Sequence, residues 1–140
     1  MRVDGQEISL LFDAGASTEL TEAARPQLHD GRPALRATSF ITASVFNRWH
    51  ERHPDWPVIE NADEGSGSGQ VMIKVPHLEV AGRPVGPVWF TRRPDKNFRE
   101  WMSQWMDKTI DGALGGNVLG HFRVTVSYPE ELAIFEEPSR

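Results

Sequence analysis

The sequence predicts a mostly β fold carrying two or three helices, and three observations carry that prediction. Short runs of β-favouring apolar residues recur along the chain, at 8–12, 71–75, 85–91, 122–127 and 132–135. Turn-forming pairs stand between or beside them, including Asp4-Gly5, Asp30-Gly31 and Tyr128-Pro129. A helical apolar period is confined to two stretches, 42–53 and 96–106.

Taken in order, Asp4-Gly5 is a tight-turn dipeptide that makes the first 20 residues a hairpin, with Ile8 to Phe12 as the strand after it. The run stops at Asp13-Ala14-Gly15-Ala16-Ser17, which is too small and polar for a buried strand. Residues 18–28 suit a short helix or turn capped by Thr21 and ended by Pro26 and Asp30-Gly31. In 42–53, Val45, Phe46 and Trp49 share one helical face, Thr42 or Ser44 can cap, and Pro54 terminates. Val58-Ile59 is a short strand before the Gly-Ser alternation at 64–69, which suits a hairpin tip. Val71, Ile73 and Val75 alternate with Met72 and Lys74, and the strand reads on through Leu78 and Val80. Ala81-Gly82-Arg83-Pro84 turns the chain into the strand at 85–91. Phe98, Trp101, Met102 and Trp105 then repeat at i, i+3, i+4 and i+7, a helix whose apolar side belongs in the core. Two strands, 122–127 and 132–135, flank the turn at 128–131.

The 140 residues suit one domain spanning 1–140, and 39% hydrophobic with 25% charged residues is the composition of a folded globular chain. Acidic residues outnumber basic ones 20 to 15, so the net charge of −5 argues against nucleic-acid or anionic-membrane partners. The sequence has no apolar stretch of the ~20 residues that a spanning helix needs, and no signal-peptide pattern. Without cysteine there is no disulfide framework, thiolate nucleophile or cysteine-ligated metal, and the compartment is left open.

Chemistry concentrates at Asp13. An apolar strand delivers the carboxylate, and Gly15 lets the backbone turn so that loop amides can point back at it. On its own this reads equally as a turn cap. Taken with Ala113-Leu114-Gly115-Gly116-Asn117-Val118-Leu119 near the C-terminus, Leu11-Phe12-Asp13-Ala14-Gly15-Ala16-Ser17 resembles the retropepsin-like aspartic peptidases, in their bacterial branch. In that family an Asp-Thr/Ser-Gly loop carries the catalytic carboxylate, and two hydrophobic residues plus a glycine later thread behind it. The resemblance implies a closed acid-protease barrel with two or three added helices. It makes Asp13 the catalytic residue and Ala14, Gly15, Ala16 and Ser17 the active-site loop. It makes Ala113, Leu114 and Gly115 the second motif, and Gly65, Ser66, Gly67, Ser68 and Gly69 the tip of a flap spanning 64–72.

Aspartic peptidases need two carboxylates ~3 Å apart sharing one proton, because both cannot stay ionised at that distance. This chain has one Asp-x-Gly in that setting, and the Asp-Gly pairs at Asp4, Asp30 and Asp111 lack the intervening residue and read as turns. A homodimer pairing Asp13 with its counterpart is therefore implied, with peptide or protein as substrate and no metal or cofactor. Ala14 departs from the family pattern, because the usual hydroxyl there bonds across the dimer. Losing such a bond costs ~1 kcal/mol, so a weak or inactive dimerisation or peptide-binding module is the competing reading.

Lesser candidates have blander readings. His50 and His53 sit at i, i+3 near Glu51 and Asp55, but zinc wants three or four ligands and the His-Glu-x-x-His pattern is absent, so a solvated face is expected. Ser17 lacks the Gly-x-Ser-x-Gly elbow of a serine hydrolase. Trp49 and Trp56, ahead of the flap, are candidates for a groove or dimer contact.

Overall fold

The computed structural model describes residues 1–65 and 69–139. The chain is mostly β, with strand over 40% of its length and helix over 21%. It opens with β1 (Arg2–Val3) and β2 (Gln6–Glu7), joined by Asp4 and Gly5 at φ 52° and 73°, the left-handed pair that a two-residue hairpin turn requires. Then come β3 (Leu11–Phe12), β4 (Ser17–Glu19), a 3₁₀ turn at Arg25–Leu28, β5 (Leu35–Ala37) and β6 (Ser39–Thr42). The 3₁₀ turn has no side-chain cap; the expected cap Thr21 instead closes the turn before it, its Oγ1 accepting the Ala24 N–H at 3.1 Å.

Helix α1 (Ala43–Arg52) follows directly. Neither Thr42 nor Ser44 caps it through a side chain; the Ser44 N–H instead donates to the Asp95 carboxylate at 2.9 Å, across 51 residues of chain. Strands β7 (Val58–Asp63) and β8 (Gln70–Val75) form the expected hairpin. After them come β9 (Leu78–Val80), β10 (Arg83–Val85), β11 (Val88–Arg93), β12 (Gly112–Leu114), the short helix α2 (Gly116–Leu119), β13 (Arg123–Ser127) and β14 (Leu132–Glu136).

The strands fall into four sheets, and this overturns the closed barrel. The largest has six strands in the order β3-β12-β6-β11-β8-β7, and among the described residues its edges β3 and β7 do not pair with each other. A second sheet, β10-β9-β1-β2, and the two hairpins β13-β14 and β4-β5 are separate. Closure needs a continuous ladder of backbone bonds, and here the β strands at 71–80 and 85–91 are each split, at Pro76-His77 and Gly86-Pro87, handing β9 and β10 to another sheet. Prolines remove ladder donors at both breaks.

The core lies under α1. Val45, Phe46 and Trp49 bury the face the sequence predicts, and the Trp49 ring meets Phe90 of β11 edge-on at 5.3 Å. Truncating such a side chain to alanine costs ~3–5 kcal/mol. Trp56 is also buried, stacked with His53 and edge-on to Trp49, so neither tryptophan lines a groove. The opposite correction applies to 96–106. The segment is a π turn, Lys96–Trp101, followed by a 3₁₀ turn, Met102–Trp105. Changing the residues per turn rotates the side chains out of one stripe, so Phe98 is buried while Trp101 and Trp105 are 66% and 74% exposed. No described helix is long and apolar enough to cross a membrane.

Candidate active site

The two motifs, a hundred residues apart in sequence, meet. Strand β3 pairs in parallel with β12, Leu11 beside Ala113 and Phe12 beside Leu114, and the Asp13 N–H donates to the Leu114 carbonyl at 3.0 Å. The chain then turns: Gly15 N–H donates to Asp13 Oδ1 at 3.0 Å and Ala16 N–H to the Asp13 carbonyl at 3.2 Å. These bonds fix the carboxylate against its own loop. Ala16 is buried, and its carbonyl accepts the Thr38 N–H at 3.1 Å, tying the loop to the start of β6. Ala14 and Ser17 are exposed, and Ser17, which opens β4, has no histidine partner among the described residues.

Gly115 is held where only glycine fits. A Cβ there would run into the Thr38 carbonyl oxygen and press on the Cβ of Ala16. Its N–H donates to Ser39 Oγ at 3.0 Å, Ser39 Oγ donates to Asn117 Oδ1 at 2.7 Å, and Asn117 Nδ2 donates to the Trp89 carbonyl at 2.9 Å. This relay, buried at Ser39 and partly buried at Asn117, locks the second motif behind the loop. Ser39 gives no sign in the sequence, whereas Asn117 is part of the motif itself.

Asp13 opens into a depression of about 430 Å³ lined also by Leu11, Phe40, Phe98, Trp101 and Met102, with Arg93 and Asn97 completing it. Arg93 belongs to neither sequence motif. Its guanidinium lies 4.4 Å from the Phe40 ring centroid and pairs with the buried Asp63 at 2.8 Å. Asp63 ends β7, at the base of the expected flap, and its Oδ1 accepts the Gly65 N–H at 2.9 Å. Arg93 therefore connects the base of that hairpin to the Asp13 depression. Glu64 N–H donates to the Glu19 carbonyl at 2.8 Å, which anchors the same base to β4. Of the flap residues, Gly65 and Gly69 flank the tip, and Ser66, Gly67 and Ser68 lie outside the described residues.

The other acidic candidates are committed elsewhere. Asp4 meets His53 Nε2 at 2.6 Å, Asp30 meets Arg36 at 2.6 Å, and Asp111 accepts from Thr42 Oγ1 at 3.3 Å. His53 is thus engaged with Asp4 and Trp56, not with His50. Among the described residues no three histidine or carboxylate side chains gather as a metal cluster. Compared with family models, curated proteins and solved structures, the chain matches none.

Proposed function

We propose that this chain is one half of an aspartic endopeptidase of the retropepsin type, which works as a homodimer on extended peptides. The observation that carries the reading is the state of Asp13. One carboxylate oxygen is held by the Gly15 N–H, and among the described residues no donor reaches the other, which belongs to a partly exposed group beside an apolar depression. The reading rests on this site and not on the sheet architecture.

A second Asp13, brought close by a twofold axis, completes the chemistry. At ~3 Å the pair keeps one proton between them. The ionised carboxylate takes a proton from water as its oxygen attacks the scissile carbonyl carbon, and the protonated one gives its proton to the carbonyl oxygen. Collapse of the tetrahedral diol then breaks the C–N bond, with a proton passed to the departing amine. An extended substrate would add its backbone to the hairpin that β7 and β8 form.

The test is peptide-bond cleavage of an unbiased peptide mixture between pH 3 and 7 by the chain and by Asp13→Asn. Asparagine keeps an acceptor for the Gly15 N–H but cannot take up the proton, so cleavage falls by ~10²–10⁴. Activity that survives the substitution rejects the mechanism. One observation favours the second reading, a weak or inactive dimerisation or peptide-binding module: Ala14 is exposed and brings no hydroxyl to a partner loop. Ala14→Thr separates the two. A gain of ~1 kcal/mol in dimerisation, read by sedimentation as a roughly fivefold lower Kd, accompanied by faster cleavage, fits an enzyme held back by its dimer. Tighter dimers that still cleave nothing fit the module.

A further inference from the structure

The non-α geometry of 96–106 leaves a large aromatic ring in solvent beside the candidate carboxylate. Trp101 is 66% exposed, and it is shared by two adjoining depressions. The first, already described, is apolar apart from Asp13, Arg93 and Asn97; Arg93 is taken up by Asp63 and Phe40, so the surface it leaves beside Asp13 is that of Phe40, Phe98 and Met102. The second, of about 390 Å³, shares Trp101 and Asn97 with the first and is otherwise lined by Lys96, Glu100 and Gln104.

We infer that Trp101 partitions the substrate cleft into two consecutive subsites, an apolar one beside the scissile bond and a polar one two residues further along the same strand. This rests on the peptidase reading. In an extended peptide, residues n and n+2 project to the same side and lie ~7 Å apart, so neighbouring depressions that share one ring can receive alternate side chains. A bulky apolar side chain fits the first, where desolvating a charge against three apolar walls is unfavourable. The second offers a cation, a carboxylate and two amides close together. A charged side chain meets a like charge there, whereas a glutamine or asparagine both donates to Glu100 and accepts from Lys96. Trp101 is thus a specificity-determining residue.

The test uses octapeptides that differ only at the position beside the cut (Phe, Leu or Ala) and two residues beyond it (Gln, Asp or Lys). Each is digested by the full chain, by Trp101→Ala and by Trp101→Phe, with kcat/KM read from product masses. Binding of the same labelled peptides to Asp13→Asn, with and without Trp101→Ala, is followed in parallel by fluorescence anisotropy. The expected result is a Phe-over-Ala preference of at least ~10-fold and a several-fold preference for Gln. Trp101→Ala should bring both to near unity, and Trp101→Phe should keep the first. Because Trp101 is mostly exposed, its truncation leaves the fold intact, which circular dichroism checks. Preferences unchanged by Trp101→Ala, or absent in the parent chain, overturn the inference while leaving the peptidase reading standing. Peptides that bind Asp13→Asn with the Trp101-dependent pattern but are never cut uphold the subsites and reject the peptidase reading. Neither binding nor cleavage rejects both.

Discussion

Asp13 and Asp63 each close a strand, and each accepts, through Oδ1, the N–H of a glycine two residues on, at 3.0 Å from Gly15 and 2.9 Å from Gly65. Their other oxygens part company. Oδ2 of Asp63 meets the Arg93 guanidinium at 2.8 Å, and the side chain is 1% exposed. Oδ2 of Asp13 has no such partner among the described residues, and its side chain faces the depression. A carboxylate with both oxygens occupied and its charge neutralised is a structural tie, because neither oxygen is left to meet a substrate. A carboxylate with one oxygen held and the other free is oriented and still reactive. The same local turn thus yields a rivet in one place and a candidate catalytic group in the other, and the difference lies in what the rest of the fold brings to the second oxygen.

Two substitutions cut this comparison most deeply. Asp13→Asn should cost up to ~10⁴ in cleavage yet leave the unfolding free energy within ~0.5 kcal/mol of the parent, since the amide still accepts the Gly15 N–H. Arg93→Met should do the reverse to stability. It strands the buried Asp63 carboxylate and costs ~3–5 kcal/mol, a fall of about 10 °C in Tm at ~2–4 °C per kcal/mol. Restoring neutrality with Asp63→Asn in the same chain should recover most of that loss, a non-additivity that urea unfolding of the two single variants and the double one measures directly. If Arg93→Met costs under 1 kcal/mol, the ion pair is not a rivet and the contrast with Asp13 collapses.

How far the chain spoke for itself follows from the same contrast. Asp13, Gly15 and Gly115 were legible because glycine marks places where backbone must turn or pass close, and those demands are local. The helix at 43–52 was legible from Val45, Phe46 and Trp49, whose spacing survives folding. The Asp63–Arg93 tie was not, because a charge run looks solvated until the fold buries it. Strands β4, β5 and β6 carry too few apolar residues to show a period, and they are held by partners distant in sequence, β4 with β5 and β6 with β11 and β12. The exposed Trp101 and Trp105 were read as core because an i, i+3, i+4, i+7 pattern assumes 3.6 residues per turn, which a π turn breaks. The barrel was wrong for a different reason: it came with the family resemblance, and the breaks at Pro76-His77 and Gly86-Pro87 hand β9 and β10 to a second sheet.

A third aspartate sharpens the comparison with the smallest effect. Asp30 repeats the turn, its Oδ1 accepting the Arg32 N–H at 3.0 Å, and its Oδ2 meets Arg36 at 2.6 Å, but on the surface. Burial pushes its carboxyl up, and the Arg32 N–H and the Arg36 guanidinium outweigh that and hold it below the ordinary carboxylate value. A carboxyl lowered on folding stabilises the folded state once the pH is above its unfolded pKa, and loses that contribution as pH falls through the folded value. Asp30→Asn should therefore cost under ~1 kcal/mol at pH 7, with the gap between variant and parent closing below pH ~4 and shrinking in high salt. Urea midpoints at pH 7 and pH 3 measure both. A gap that stays constant with pH would show that the cost does not come from the charge on Asp30. The cation on the second oxygen would then matter only where it is buried, as at Asp63, and a bare second oxygen would distinguish Asp13 from a buried aspartate but not from an exposed one.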